Sequence, residues 1–185
     1  STLFPYTTLF RSVHDWERQV ITQEKIDEHF QRCESAKKTW GPGPWQNEPH
    51  RVEFEHAGLR CLISRVSRTG SWCGYVGVPA LHPLHGKHYD AVDVDVHGGL
   101  TYSDACRGNI CHISDREELF WFGFDCAHAW DLVPGMEASF KELGNLFDKF
   151  ESLRRSRSYE DIYRDVHYVT EQTKQLAEQL AKAAT

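Results

Sequence analysis

Leu119-Phe120-Trp121-Phe122-Gly123-Phe124-Asp125 is the stretch from which the fold is read. A nearly continuous apolar run of this kind is what a central strand buried on both faces requires. Its neighbours are found by working outward. Upstream, Val52, Phe54 and His56 alternate with charged residues, Ala57-Gly58 offers a turn, and Leu59–Val66 reads as the returning strand. Trp72–Val78 is a further strand, rich in aromatic and β-branched residues but loosened by Gly74 and Gly77. Ala91–His97 alternates cleanly, with Val92, Val94 and Val96 facing one way and Asp93, Asp95 and His97 the other. Gly98-Gly99 breaks or bulges that strand before Leu100–Ser103. Pro79–His88 and residues 104–116 read as loops.

Helices flank this block. Ile26, Phe30, Cys33 and Ala36 or Lys37 recur at helical spacing over ~22–39, and Gly41-Pro42-Gly43-Pro44 ends the pattern because proline cannot continue the ladder. Beyond the central strand, Phe140, Leu143, Phe147, Phe150 and Leu153 follow a 3–4 spacing, weakened by Gly144 by about 1 kcal/mol relative to Ala. Ser158 with Asp161 resembles a capping box. It opens a long helix striped by Ile162, Val166, Val169, Thr173, Leu176 and Leu180. The predicted fold is α+β: a central, mostly antiparallel sheet packed by one N-terminal and two C-terminal helices.

Composition bounds the function. Hydrophobic residues at 40% and charged residues at 26% describe an ordinary soluble globule. No apolar run approaches the roughly 18 residues of a membrane span. With a net charge of −6, and Arg154, Arg155 and Arg157 the only dense basic stretch, a nucleic-acid groove is not expected. The six cysteines (Cys33, Cys61, Cys73, Cys106, Cys111, Cys126) could form disulfides in a secreted protein, but they sit mostly in apolar or helical patterns, which favours free thiols in a reducing cytosol. The eleven histidines and six tryptophans are the more telling numbers, since both residue types are frequent in ligand sites.

Two linked segments concentrate them: Val92 to Tyr102, and Trp121 to Asp131. A hydrophobic strand ending in Asp125-Cys126-Ala127-His128 places polar side chains at the rim of the sheet. A second strand ending in His97-Gly98-Gly99 brings an imidazole and bare backbone amides beside them, and such amides can bind anionic oxygens. Tyr102, Trp121 and Trp130 would wall the cleft. A metal site is the main competitor. Asp93, Asp95 and His97 share a strand face and offer carboxylate and imidazole ligands, which His128 and Asp131, or Cys126 with His128, could complete. The usual paired spacing is absent: there is no Cys-x-x-Cys and no His-Glu-x-x-His. Cys106 and Cys111-His112 offer a second, equally patternless zinc cluster. In the loop His82-Pro83-Leu84-His85-Gly86-Lys87-His88, Lys87 could reach a phosphate as a point charge. A nucleophilic pairing of Cys126 with His97 or His128 is a further alternative.

His97-Gly-Gly-Leu-Thr-Tyr102, Phe122-Gly-Phe-Asp-Cys-Ala-His128, Tyr75-Val-Gly-Val-Pro79 with His82–Lys87, and Tyr163-Arg-Asp-Val-His-Tyr-Val169 resemble small phage and prophage proteins. The resemblance covers ~70–183 and brings no established activity. Similar chains often carry Tyr at position 85 and Asp at 88, outside the two linked motifs. Phage origin implies the cytoplasm of an infected bacterium and an accessory role, such as sequestering a nucleotide-derived immune signal. The leading expectation is therefore a binding protein for a small, nucleotide-derived ligand. His97, Gly98, Gly99, His128 and Lys87 would address phosphate or ribose oxygens, with Asp125 and Cys126 alongside them, and Tyr102, Trp121 and Trp130 would stack on a base. The rival is a hydrolase of a phosphodiester or glycosidic bond, metal-dependent or not, with Asp125 or Asp131 as general base near His97 and His128. No motif implies a cofactor, and a homo-oligomer is left open.

Residues 2–12, Thr2-Leu-Phe-Pro-Tyr-Thr-Thr-Leu-Phe-Arg-Ser12, resemble the translation of a common short-read library adapter. The expectation is a chain from an environmental assembly whose natural start is replaced by Ser1–Ser12, leaving 13–185 as a single domain.

Overall fold

The computed structural model describes residues 21–108, 110, 111, 118–136, 138, 148, 149, 152 and 160–184. Helix α1 (Gln23–Lys37) is capped by the Thr22 hydroxyl, which accepts from the Lys25 amide. Five strands follow: β1 (Arg51–His56), β2 (Leu59–Arg65), β3 (Trp72–Pro79), β4 (Tyr102–Ala105) and β5 (Leu119–Asp125). Helix α2 (Val166–Lys182) closes the described chain. The sheet order is β1-β2-β3-β5-β4, and every strand pairing in it is antiparallel. The α+β class and the antiparallel sheet are thus as predicted, and β5 is the interior strand that its apolar run requires.

The strand register sorts side chains onto two faces. Cys61, Ile63, Val76, Phe122 and Phe124 stand on one face and bury Val169, Thr173, Leu176 and Leu180 of α2. Gly74 makes this approach possible, since a Cβ there would lie 2.4 Å from both Phe124 and the Thr173 hydroxyl. On the opposite face Leu62, Leu119 and Trp121 form a smaller cluster with Tyr75 and Tyr102. His29 of α1 approaches that face, 3.3 Å from the Ser64 hydroxyl.

Several expectations are corrected. Ala91–His97 is not a sheet strand. It runs extended along α2, where Gln179 bonds both the amide and the carbonyl of Asp95, and Gln172 accepts the His97 amide. Its alternation is real, with Val96 buried and Asp93 and Asp95 exposed, but helix side chains take the place of a neighbouring strand. The strand predicted at Leu100–Ser103 is shifted to β4. The buried stripe of α1 is His29, Cys33 and Lys37, and Phe30 points outward. Helix α2 starts at Val166, with Asp165 accepting the Tyr168 amide, so Ile162 precedes it and is exposed. Cys106 and Cys111 form a disulfide, whereas Cys33, Cys61, Cys73 and Cys126 are buried and outside any disulfide. The stripe residues Phe140, Leu143, Phe147, Phe150 and Leu153, with Ser158, His112 and Ser1–Ser12, lie outside the described residues. No helix among the described residues is long and apolar enough to cross a membrane.

Candidate functional site

Beyond β5 the chain turns at once. The Cys126 amide still bonds the Trp72 carbonyl, and residues 128–131 then form a tight turn in which the Asp131 amide donates to the His128 carbonyl at 3.0 Å. Asp131 closes the same turn from its side chain, because its Oδ2 accepts the His128 amide at 3.0 Å. That geometry fixes His128, whose Nδ1 lies 3.2 Å from Oδ2. The segment before α2 runs alongside. Ile162 donates to the Trp130 carbonyl and accepts from the Leu132 amide. This pairing delivers Arg164, whose Nε donates to Asp131 Oδ1 at 3.0 Å.

His97 enters from the extended segment. Its Nε2 is 2.8 Å from Asp131 Oδ2 and its Nδ1 is 3.0 Å from the Tyr168 hydroxyl. Gly98 (φ 67°) carries the backbone past His128, where a Cβ would stand 2.0 Å from the His128 ring. The Trp130 ring stacks on that of His128, at 5.2 Å and 8°.

Two imidazoles therefore converge on one carboxylate oxygen. The Asp131 side chain is fully buried. Burial alone would raise its carboxyl, but the bonds from His97, Arg164 and the His128 amide outweigh it and hold the group at about 2. An ionised carboxylate only accepts, so His97 Nε2 and His128 Nδ1 are the donors. In the neutral His97 ring, Nδ1 then accepts from the Tyr168 hydroxyl. His128 Nε2 is left without a hydrogen bond among the described residues and is not shut away from solvent.

His128 and Asp131 also border a cleft of about 370 Å³. Its walls include Trp40, Trp45, Leu132, Val133 and Met136, and among its lining residues there is no lysine or arginine. Comparison with protein-family models, curated proteins and solved structures finds no match for this chain. The larger groove, about 510 Å³ between α1 and the sheet, is lined by Lys25, His29, Arg32 and Arg65 and holds none of the predicted site residues.

The predicted site is thus partly assembled. His97, Gly98, His128, Trp130 and Asp131 come together. Gly99 completes the turn, its amide bonded to the Val96 carbonyl, rather than presenting a free donor. Asp125 is engaged by the Thr101 hydroxyl and the Ala127 amide, which ties it to the turn and not to the imidazoles. Trp121 is fully buried and, with Tyr102, stands on the sheet face opposite α2, so neither walls the cleft. Cys126 is packed in the core, where burial and then the Asp131 charge push its thiol well above the ordinary range, which removes it as a nucleophile. Lys87 is exposed on a loop anchored by His82 to the Leu180 carbonyl, twelve residues and so about 18 Å along α2 from Tyr168. Asp93 and Asp95 are exposed and do not join His97. Sequence reading missed Arg164, Tyr168 and Gln172 as site residues. Arg164 and Tyr168 lie in the quoted motif Tyr163–Val169, and their spacing shows its purpose only once α2 is docked.

Proposed function

We propose that the protein is a hydrolase that activates water at the His97, His128 and Asp131 cluster and holds a ring of its substrate in the adjoining cleft. The observation that carries this reading is the pairing itself: an ionised, buried carboxylate orients two imidazoles, one of which keeps an available nitrogen. A pocket that only binds gains little from such an arrangement, whereas proton transfer to a positioned imidazole contributes about 10²–10⁴-fold to a reaction rate. Among the described residues no thiol or hydroxyl nucleophile is poised beside His128, and water is the attacking group in this reading. The tryptophan-walled cleft, with no lysine or arginine in its lining, suits a base or a sugar. An anionic portion, such as the phosphate of a nucleotide-derived substrate, would lie toward the cluster, where Arg164 and the imidazoles stand. The scissile bond is accordingly phosphodiester or glycosidic.

Incubation with cyclic dinucleotides and ADP-ribose derivatives, followed by heating and chromatography of what is released, tests the proposal. A converted product that disappears in His128→Ala supports it. Release of unchanged ligand would instead identify a binder of the immune-signal-sequestering kind. Neither ligand nor product would point to a protein that acts through its surface.

A further inference from the structure

The atoms that meet at this cluster are also a ligand set. Around an octahedral ion with ligands at about 2.1 Å, neighbouring donor atoms stand about 3.0 Å apart, and around a tetrahedral one about 3.4 Å. The separations from Asp131 Oδ2 are 2.8 Å to His97 Nε2 and 3.2 Å to His128 Nδ1, on either side of the octahedral value. All three donors lie within 4.8 Å of one another. The atoms turned away from this point are held too. His97 Nδ1 meets the Tyr168 hydroxyl and Asp131 Oδ1 meets Arg164. Outer partners of that kind orient the ligands of metal sites. The His97 and Asp131 side chains are 5% and 0% exposed and that of His128 is 20%, so the set is closed on two sides and open on the third.

We propose that His97, His128 and Asp131 bind one divalent transition-metal ion, zinc or iron(II), through two imidazoles and one carboxylate. Three protein ligands with an open side are the pattern of a catalytic rather than a structural site. Imidazole donors select against magnesium and calcium, which prefer oxygen. To accept the ion, each ring moves its proton to the outward nitrogen: His97 then donates to the Tyr168 oxygen and His128 carries its proton on Nε2. This deepens the hydrolase reading and rests on it for its role, with metal-bound water taking over the activation that the His128 Nε2 lone pair supplies in the metal-free cluster. Water on such an ion ionises near neutral pH. The hydroxide would add to the electrophilic phosphorus or carbon, the bond from that atom to the leaving oxygen would break, and the leaving oxygen would take up the proton that the bound water released.

The test is titration of the full chain, freed of metal by a chelator, with Zn²⁺ and with Co²⁺ as a visible-absorbing probe. One ion per chain is expected, with affinity reduced at least 100-fold in His128→Ala and in Asp131→Asn, and about 10–100-fold in Arg164→Gln. Asp93→Asn and Asp95→Asn should bind as the parent does. Should Asp131→Asn fail to fold, His128→Ala decides. Absence of stoichiometric binding, or binding undiminished in His128→Ala, overturns the proposal. Substrate turnover that survives metal removal would discard the ion and keep the hydrolase. An ion bound as described without any turnover would keep the site and discard the hydrolase.

Discussion

A methyl group at position 98 has nowhere to go. Gly98 and Gly99 both hold positive φ, so alanine at either costs about 1–2 kcal/mol of backbone strain. Only at 98 would the new Cβ overlap the His128 ring, whereas at 99 nothing lies within 4 Å. Urea unfolding should therefore show similar or slightly larger losses for Gly98→Ala, while turnover falls at least tenfold in Gly98→Ala and stays near parental in Gly99→Ala. Equal turnover in both would mean that His128 need not stand where it does. A second residue-scale effect concerns acid. Burial, reinforced by the charges of Arg32, Arg51 and His50, lowers the His29 imidazole to about 4 from 6.5. The unfolded chain takes up that proton first, so His29 contributes stability that is complete above about pH 6.5 and is lost as pH falls toward 4. Urea midpoints measured at pH 7 and pH 5 should drop less in His29→Gln than in the parent. An identical drop would exclude His29 as a source of acid sensitivity.

At the scale of elements, α2 organises the molecule. Val169 is fully buried against the sheet, and Val169→Asp forces an unpaired charge into the core, with an expected loss above about 3 kcal/mol. Lys174→Asp replaces a partly exposed pair with Glu171 by a like-charge contact, a cost within about 1 kcal/mol. Equal unfolding midpoints for the two variants would show the buried face to be misplaced. This stripe was legible in the sequence because helical periodicity reports burial directly, and the same holds for β5, where an apolar run reports two covered faces. The segment 92–97 was misread for a related reason. Alternation records which way side chains point and says nothing about what satisfies the backbone, and here Gln172 and Gln179 do so. The site was half legible. His97 and His128 stand out by type and by their place at rims. Trp121 looked like a pocket wall because sequence does not tell one covered sheet face from the other. Arg164 and Tyr168 could not be linked to Asp131 without the Ile162 pairing that brings them there.

Across the whole molecule, one ion pair ties distant parts together. The Arg65 side chain is wholly buried, stacked 4.2 Å over Trp72 and paired with Glu48. Glu48 also accepts from the Tyr163 hydroxyl, the Trp72 indole and the Val166 amide at the start of α2. Glu48→Ala would leave the guanidinium buried without its partner, and about 3–5 kcal/mol should be lost on chemical unfolding. A loss under 1 kcal/mol would mean that water enters and solvates Arg65. Glu48 and Val166 are 118 residues apart, and this separation bears on how the chain is made. During synthesis the sheet, His97, His128 and Asp131 emerge before Arg164, Tyr168 and the covering helix. Until then Ile63, Val76, Phe122 and Phe124 have no cover, and the turn carrying Asp131 lacks its guanidinium. The cluster would therefore be complete only once α2 has docked. A chain stopped before α2 would leave that apolar face bare and be prone to clump, so the docking of α2 is the step that both covers the sheet and completes the cluster.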